Sequence, residues 1–550
     1  MVELVTTHAD RVAFLSSEVP RASALGSGPM SAPEERSEAP EPKRQRGASD
    51  ADASVTPPAD SGVEVETAPA VSVIMPCRNA MPWLPDCVAS VLAQEGLEAD
   101  GGLELIVADD ASTDGSTEWL AACEAALRAA DARRDLPPGR RRVPPADASS
   151  APAAADEDGD SAFPPDRFAW EPETFEPPSV DAVVSRRAPG NALLVLSVQT
   201  RGPSGQGLAL NAAYRRARAP LVGEMESDDL RPPRAFATLR DALTENPDWD
   251  GATSAVKLVG WDRPGMARWI EWQNAANTPR RMARERFVEI PALRASGLFR
   301  RRAMEALATA ASSSGRSAPY RDLWPDENGR VRDYARSESG PESEPEEAGW
   351  WPVDADFWHR WFAEGLVAGK TSGAPLYYWR QYPSQSTRTH ARCSLERLRE
   401  CKAHFLVARG GPAAGVGDAR GDGARAAAEG VAGPAVAQVW GTGETLRAWV
   451  DALRGAVAAA AVRRGWAEDA EAARAAAARR VRGVEYKPGA PVGWKRLREE
   501  DAASRAEGGL SDENERVLRL FAFGMEKARG KVRATFTGFD EEGDEHWFVA

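Results

Sequence analysis

Residues 71–94 read VSVIMPCRNAMPWLPDCVASVLAQ, and this stretch decides the fold that we expect. Its first five residues are mainly apolar and β-branched, which is typical of a strand that is buried on both faces. The loop residues PCRNA follow. Apolar residues then recur at helical spacing, at Leu84, Cys87, Val88, Val91 and Leu92. The stretch therefore predicts a buried strand, a loop and an amphipathic helix.

The same alternation of strand and helix continues along the chain. A second apolar run, LELIVA (103–108), ends in DDASTDG (109–115), and a new helical pattern opens at Thr117. Further strands are predicted at LLVLSV (193–198) and LVGEME (221–226), with a helix around residues 211–217 between them. Alternating strands and helices predict an α/β fold with a mainly parallel sheet.

Composition divides the chain into five segments. Residues 1–68 are rich in Ala, Pro, Ser and Glu and predict a disordered tail. Residues 69–408 form the main domain, with a low-complexity insertion near 130–190 that a surface loop can accommodate. A Gly/Ala-rich linker is expected at 409–433 and a small α/β domain at 434–550.

The charge and the cysteines exclude several classes of protein. A formal net charge of −14 argues against general binding of nucleic acid or anionic membranes. Five cysteines without a C-x-x-C pair favour reduced thiols over a disulfide framework or a zinc site. With neither a signal peptide nor a membrane span in the pattern, we expect a cytoplasmic protein. A short basic cluster, KRQR (43–46), resembles a nuclear localisation signal and leaves a nuclear protein as the weaker alternative.

Polar loops follow three of the predicted strands at the point where each strand ends. They are Pro76–Asn79, Asp109-Asp110 and Glu226–Asp229. Ligands of open α/β sheets bind beyond the carboxyl ends of the strands, and hard divalent cations prefer carboxylate oxygens. One acidic cluster alone is weak evidence, because such residues also cap helices and shape turns. Three polar loops in order at strand ends, two of them acidic, predict a site for a ligand with a metal-screened diphosphate.

The sequence segments that flank these acids resemble those of a known family. VSVIMPCRNAMPWLPDCVASVLAQ, ELIVADDASTDGST (104–117) and ESDDLRPPRAFATL (226–239), in this order, resemble family 2 glycosyltransferases over roughly residues 71–390. The resemblance implies a GT-A fold, the α/β fold of nucleotide-diphospho-sugar transferases. It also implies an inverting transfer of a sugar, GlcNAc in our interpretation, from a UDP donor to a hydroxyl acceptor. The acceptor, whether glycan, protein or small molecule, is left open.

The resemblance also implies roles for individual residues. Pro76, Arg78 and Asp110 would hold the uridine, and Asn211 and Asp228 would contact the nucleotide sugar. The metal, Mn²⁺ or Mg²⁺, would bind Glu226, Asp228 and Asp229. Asp354 would be the base that deprotonates the acceptor. Trp379, Arg380 and His390 lie where related enzymes place a diphosphate-binding or acceptor-side segment.

Some residues depart from the family pattern and keep an alternative open. Glu226 stands where the family usually has Asp, and Val353 replaces the Glu that precedes the base. Asp354 also suits the N-cap of a helix that would begin near Ala355. The alternative hypothesis is therefore a nucleotide-sugar-binding or interaction protein of the same fold that has lost catalysis.

Overall fold

The computed structural model describes residues 68–134, 171, 175–197, 205–310, 318–321, 323–325, 331–333, 351–408, 411–413, 416, 436–492, 494–508, 517–536 and 546–550. The predicted tail, its basic cluster, most of the insertion near 130–190 and most of the linker at 409–433 lie outside these residues. No helix in the described ranges has the length and apolar character needed to span a bilayer. The five cysteines all fall within these ranges and are free.

The strands in chain order are β1 (Val71–Cys77), β2 (Leu103–Asp109), β3 (Ala192–Ser197), β4 (Leu221–Glu224), β5 (Gly251–Thr253), β6 (Val256–Gly260), β7 (Leu298–Arg300), β8 (Leu323–Pro325), β9 (Val331–Asp333), β10 (Ala368–Lys370), β11 (Tyr377–Gln381), β12 (Val436–Gly441), β13 (Val481–Glu485), β14 (Val517–Ala522) and β15 (His546–Val549). Seven of them form the main sheet, in the order β10-β5-β7-β4-β1-β2-β3. Only β7 runs antiparallel to its neighbours there, β4 and β5. The predicted α/β fold with a mainly parallel sheet is confirmed.

The helices are α1 (Leu84–Leu92), α2 (Ser116–Arg134), α3 (Val180–Arg186), α4 (Gln206–Tyr214), α5 (Ala235–Glu245), α6 (Pro264–Ala275), α7 (Pro279–Glu285), α8 (Arg301–Ala310), α9 (Val353–Ala363), α10 (Ser386–Thr389), α11 (Leu395–Val407), α12 (Gly443–Arg463), α13 (Ala470–Arg480), α14 (Trp494–Gly508) and α15 (Glu526–Thr535). Short 3₁₀ turns lie at Glu98–Asp100, Arg294–Ser296 and Ala391–Cys393.

Helices cover both faces of the main sheet, and this explains why its central strands are apolar throughout. Every residue of β1 and of β2 is buried. Val73 and Met75 of β1 pack in the cluster that includes residues of α1 and α5. Ile74 points the other way, into the cluster formed with α4, α8 and α9. Two buried faces need apolar residues at successive positions, which is the continuous pattern read in VSVIM.

A second, two-stranded sheet sets the position of the segment after residue 376. Strand β11 pairs in parallel with β6, from Tyr377 opposite Val256 to Gln381 opposite Gly260. Tyr378 also exchanges backbone hydrogen bonds of 2.9 and 3.1 Å with Leu230, immediately after the acids that follow β4. These pairings bring Tyr377–Gln381 against the acidic loop.

The carboxyl-terminal part of the described chain contains its own parallel sheet, in the order β13-β12-β14-β15. It contacts the first part of the chain at a few well-defined places. The Lys402 ammonium of α11 donates to the carbonyls of Val288 (2.9 Å) and Ala550 (2.7 Å). The rings of Phe287 and Trp547 meet edge to face at 5.5 Å. The division of the chain at residues 408 and 434 stays a prediction.

Some predicted boundaries are wrong, and local contacts explain why. Strand β4 ends at Glu224 rather than at residue 226, and a turn closes where the Asp229 N–H donates to the carbonyl of Glu226. The apolar spacing of VDADFWHRWFAEGLVA predicts a helix over 353–368, but the helix ends at Ala363, and Gly365 has a φ of +70°. Its N-cap position is Pro352, so Asp354 lies inside the first turn and is not the cap.

Gly102 gives a test of the packing that aligns β2 with β3. Its φ is +72°, and a Cβ there would lie 2.6 Å from the carbonyl carbon and oxygen of Gly190. We expect Gly102→Ala to lower the free energy of unfolding by about 3 kcal/mol, from backbone strain and the steric clash together. Gly115, with a φ of +96° and no atom within 4 Å, is the matched control. Gly115→Ala adds only the backbone strain, about 1 kcal/mol. Urea unfolding measures both, and equal losses would contradict the close approach at Gly102.

Candidate active site

The loops after β1 and β2 are fastened to each other by reciprocal hydrogen bonds. The Asn79 N–H donates to Ser112 Oγ (2.9 Å), and the Thr113 N–H donates to Asn79 Oδ1 (2.8 Å). The Met81 N–H donates to Asp114 Oδ2 at 2.8 Å. Asn79 adopts a left-handed φ of +50°, which Asn tolerates better than most residues do. The two loops therefore form one rim at the carboxyl end of the sheet.

The three residues predicted to hold uridine lie on or beside this rim. Pro76 is buried in β1, opposite Ala108, whereas Arg78 is exposed. Asp110 is buried, and its Oδ2 accepts the N–H of Gly205 at 2.9 Å, immediately before α4. The strand ends thus bring Arg78 and Asp110 to one edge of the sheet. Their role in uridine binding stays a prediction.

A cavity of about 550 Å³ lies next to this rim. Its lining includes Glu226, Asp228 and Asp229 from the loop after β4, and Asp354 from α9. The fold thus brings together four carboxylates that are up to 128 positions apart in the sequence, counting from 226 to 354. Pro76, Arg78, Asp110 and Asn211 are outside this lining.

One guanidinium, that of Arg294, organises the acids. Arg294 is fully buried, and its Nε donates to Asp354 Oδ1 at 2.8 Å. Its Nη2 donates to Glu226 Oε1 at 3.1 Å, and its Nη1 pairs with Glu224 Oε2. The side chains of Glu226 and Asp354 keep 31% and 32% exposure, so both remain open to a ligand. Arg294 therefore fixes the distance between the loop acid and the helix acid.

Burial changes the proton affinity of the two glutamates in this cluster. Desolvation raises the pKa of Glu224 to about 7, against the opposing effect of Arg294 and of the hydrogen bond from Tyr320. Desolvation likewise raises the pKa of Glu226 to about 7, while Arg294 lowers it and Asp354 raises it. Burial is thus the main reason that their negative charge is disfavoured, and the neighbouring carboxylates add to it.

Asp228 and Asp229 are adjacent in sequence but have different surroundings. Asp228 accepts the Tyr382 hydroxyl at 2.7 Å through Oδ2 and is partly exposed. Asp229 is buried, and both of its oxygens are used, by the Tyr377 hydroxyl (2.5 Å) and the Arg380 N–H (2.8 Å). Desolvation and the neighbouring Asp228 raise the pKa of Asp229 well above its usual value. Asp229 fastens β11 to the acidic loop.

The acids of the predicted metal site differ in how far the protein already uses their oxygens. Within the described ranges, no group of three or more His, Cys, Asp or Glu residues is arranged to hold an ion. Both oxygens of Asp229 accept a hydrogen bond, whereas Glu226 and Asp228 each use one carboxylate oxygen in bonds to other side chains. Mg²⁺ is commonly bound by one or two carboxylates together with substrate phosphates. Glu226 and Asp228 match that pattern most directly, and the metal contact of all three acids stays a prediction.

Asn211 has a structural contact within the protein. Its Nδ2 donates to the carbonyl of Tyr320 (2.7 Å), and its Oδ1 accepts the Tyr320 N–H (3.1 Å). The hydroxyl of Tyr320 in turn donates to Glu224. Asn211 therefore places the tyrosine that supports the Arg294 cluster, and its contact with a nucleotide sugar stays a prediction.

Arg380 is likewise used inside the protein. Its Nε donates to the carbonyl of Asp228 at 2.9 Å, and its Nη2 lies 3.3 Å from Asp86 Oδ2. The guanidinium sits 4.5 Å from the ring centre of Trp83 and 5.3 Å from that of Phe175. Being fully buried, Arg380 holds the acidic loop in place. Its neighbours in the sequence pattern, Trp379 and His390, do line the cavity.

Several residues of the site gave no signal that the sequence pattern alone could reveal. Gln206, the first residue of α4, donates to Glu226 Oε1 at 2.8 Å, and Arg392 donates to Gln206 Oε1 at 3.2 Å. Arg294 lies within EIPALRASGLFRR (289–301), where no local pattern marks the arginine as part of a site. These side chains meet the acids only through the tertiary fold.

A second ion-pair group holds the helix that carries Asp354. Asp356 is buried, and it accepts from Arg321 Nη2 at 2.6 Å and from Arg360 Nε at 2.8 Å. Desolvation raises the pKa of Asp356, but the two arginines outweigh it and lower the pKa to about 2. The ionised form is therefore the one that the folded protein stabilises.

This shift predicts a pH dependence of stability. Because the folded pKa of Asp356 is depressed, its contribution is present above the unfolded pKa near 4 and is lost as the pH falls towards 2. We expect Asp356→Asn to lower the free energy of unfolding by about 2 to 3 kcal/mol at pH 7. The difference from the wild type should shrink between pH 4 and pH 2. The exposed pair partner Asp241 is the control, since Asp241→Asn should change stability by less than about 1 kcal/mol. A loss that is constant over this pH range would contradict the ionised pair.

Part of the chain matches a known protein family. Residues 72–132 match the family model described as glycosyl transferase family 2, from β1 through most of α2. No curated protein sequence matches the chain. S. aureus TarS 1–349 in complex with UDP-GlcNAc is similar at 12% identity and a TM-score of 0.36, covering 80% of this chain and 90% of that chain.

Two further solved structures give a similar result. S. aureus TarS is 14% identical with a TM-score of 0.33, and the match covers 62% of this chain and 40% of that chain. The mannosyltransferase PcManGT from Pyrobaculum calidifontis, in complex with GDP-Man and Mn²⁺, is 17% identical with a TM-score of 0.29, covering 62% of each chain. The ligands named here are those of the compared proteins. The chain has a GT-A-like α/β fold with a mainly parallel sheet, and its residues 72–132 match family 2 of the glycosyltransferases.

Proposed function

We propose that this protein is a glycosyltransferase that moves a sugar from a nucleotide-diphosphate donor to a hydroxyl acceptor with inversion at the anomeric carbon. The observation that carries the proposal is the Arg294 cluster, which holds Glu226 and Asp354 beside one cavity. The family 2 match over residues 72–132 supports the same reaction class. Asp110 and Arg78 at the adjacent rim are the proposed uridine contacts.

The reaction needs one proton acceptor and one charged binding site. In a single displacement, the acceptor oxygen bonds to the anomeric carbon while the bond from that carbon to the diphosphate oxygen breaks. Asp354 takes the hydroxyl proton, because the ion pair with Arg294 engages Oδ1 and leaves Oδ2 for the acceptor. Arg294 keeps the carboxylate oriented without entering the cavity lining itself.

The diphosphate is proposed to lie near Glu226 and Asp228. These two carboxylates would hold a divalent cation, Mn²⁺ or Mg²⁺, which stabilises the negative charge on the departing diphosphate. Glu has one methylene more than the Asp usual at this position, and Mn²⁺ tolerates the altered geometry better than Mg²⁺ does. Arg392, one side chain away from Glu226 through Gln206, adds a positive charge on the same side.

The proposed donor is a UDP-sugar, and GlcNAc is the proposed sugar. Two stretches, RWIEWQNA (268–275) and WPVDADFWHRWFAEG (351–365), resemble the UDP-GlcNAc:βGal β-1,3-N-acetylglucosaminyltransferase-like protein within the family. The second of these contains Asp354. A thermal-shift screen against UDP-, GDP- and dTDP-sugars tests the donor directly, because a ligand that binds only the folded state raises its apparent stability.

Asp354→Asn tests the base. The amide keeps the size of the side chain but cannot take a proton, so we expect transfer to fall by at least about 100-fold while the Kd for UDP changes little. The exposed helix residue Asp451 provides a matched control, and Asp451→Asn should retain full turnover. UDP release in the presence of acceptor measures turnover, and calorimetry measures the Kd. Unchanged turnover in Asp354→Asn would assign the base to another residue. Wild-type protein that neither binds UDP, GDP or dTDP nor releases the corresponding diphosphate from a UDP-, GDP- or dTDP-sugar would refute the transferase itself.

Removal of the metal tests the role of Asp228. With Mn²⁺ present, UDP at 100 times its Kd should stabilise the fold by about 3 kcal/mol, and a chelator should abolish most of that gain. Asp228→Asn should bind UDP weakly with or without Mn²⁺. The control is Glu396→Gln, which changes an exposed acid in the first turn of α11. An affinity for UDP that changes neither with the chelator nor in Asp228→Asn would rule out the proposed cation site.

A second candidate is a nucleotide-sugar-binding protein without catalysis. The observation that favours it is the engagement of Glu226 Oε1 and Asp354 Oδ1 by the same buried arginine. Metal-dependent UDP binding by calorimetry, with no transfer over a broad panel of hydroxyl acceptors, would decide for this candidate.

A further inference from the structure

The cavity beside the acids has an extended apolar wall that the proposed donor does not require. Six of its lining residues share large apolar side chains. They are Met266, Trp269, Ile290, Leu293, Trp379 and Leu398. A nucleotide diphosphate is charged and hydroxylated, so an apolar wall of this size calls for a different part of the substrate.

The wall is built from elements that hold it firmly. Trp269 lies on α6 and Trp379 on β11, and their rings meet edge to face with centroids 5.8 Å apart. Leu398 comes from α11, and Leu293 immediately precedes the 3₁₀ turn of Arg294. All four side chains are at least nine-tenths buried and pack in the protein core. The wall therefore exists before any ligand binds.

Many polar groups of the same cavity are already engaged within the protein. Arg388 donates to the carbonyl of Tyr382 and to Gln385 Oε1 (3.2 Å). Gln385 Nε2 donates to the carbonyl of Arg380 at 2.9 Å. Ser394 Oγ caps α11 by accepting the Arg397 N–H at 3.2 Å. These three side chains are therefore not fully available to a ligand.

We propose that the acceptor carries an apolar group, alkyl or aryl, that lies against this wall while its hydroxyl meets Asp354. The inference rests on the proposed function, because it names the acceptor class for the same site. Asp354 and the six wall residues line one cavity of about 550 Å³, so one acceptor molecule reaches both. A bare sugar would have to bury hydroxyls against Met266, Ile290, Leu293 and Leu398, whose side chains offer them no hydrogen bond, and this costs binding free energy.

The size of the effect follows from apolar burial. Octyl β-glucoside and methyl β-glucoside have the same sugar and differ by seven methylene groups. Each methylene that becomes buried contributes about 0.8 kcal/mol at most, and the ordering of the chain opposes part of this gain. Burial of only two or three groups already gives a Kd about tenfold lower or more. This pair therefore separates an apolar wall from a sugar subsite.

The experiment titrates both glucosides, below the micelle-forming concentration of the octyl compound, into the full chain by calorimetry. We expect octyl β-glucoside to bind about tenfold or more tightly than methyl β-glucoside. Met266→Gln places a polar amide of similar size in the wall and should reduce that ratio by about threefold or more. Met525, half exposed and remote from the cavity lining, gives the matched control. Met525→Gln should leave the ratio unchanged.

Two results would overturn the apolar acceptor. One is equal affinity for the two glucosides. The other is a preference for the octyl compound that neither Met266→Gln nor Met525→Gln reduces, because this would place the alkyl chain elsewhere on the protein. UDP binding measured on the same samples separates this inference from the proposed function. Loss of the octyl preference with normal UDP binding overturns the acceptor class alone, whereas absent UDP binding with a Met266-dependent octyl preference overturns the transferase alone.

Discussion

The geometry of the site depends on a guanidinium that is buried among carboxylates. Arg294 pairs with Glu224 at the end of β4, with Glu226 in the following loop and with Asp354 in α9. A buried charge without a partner costs several kcal/mol, so each of these contacts constrains the others. The sheet, the acidic loop and the helix are consequently held in one arrangement.

The sequence predicted the parts of this arrangement that depend on local periodicity. The apolar run at Val71–Met75 and the one at residues 103–108 are strands because both of their faces are covered, and this leaves a pattern that can be read directly. The acids at 109–110 and 226–229 could be located because strand ends are marked by the change from apolar to polar residues. Parallel pairing then explains why they meet at one edge.

The remaining parts depend on contacts between distant segments. Arg294 lies 60 positions from Asp354, and Tyr377 lies 148 positions from Asp229. No local pattern marks these pairs, since a buried arginine and a tyrosine in a strand look like ordinary residues until the fold joins them. The same limit applies to Asp229, for which the acidic pattern predicted a metal contact. Its burial and its bonds to the Tyr377 hydroxyl and the Arg380 N–H are visible only in the tertiary structure.

The hydrogen bonds of Lys402 couple the stability of the main sheet to that of the carboxyl-terminal sheet. Its ammonium has one acceptor before the 3₁₀ turn of Arg294 and the other at Ala550, beside β15. Separation of the two parts would leave a buried cation with half of its hydrogen bonds and would expose the edge-to-face pair of Phe287 and Trp547 to water. Opening of the second sheet is therefore coupled energetically to the segment that contains Arg294 and presents Ile290 and Leu293 to the cavity. Fluctuations some distance from the carboxylates can in this way alter the population of molecules in which the cavity is fully formed.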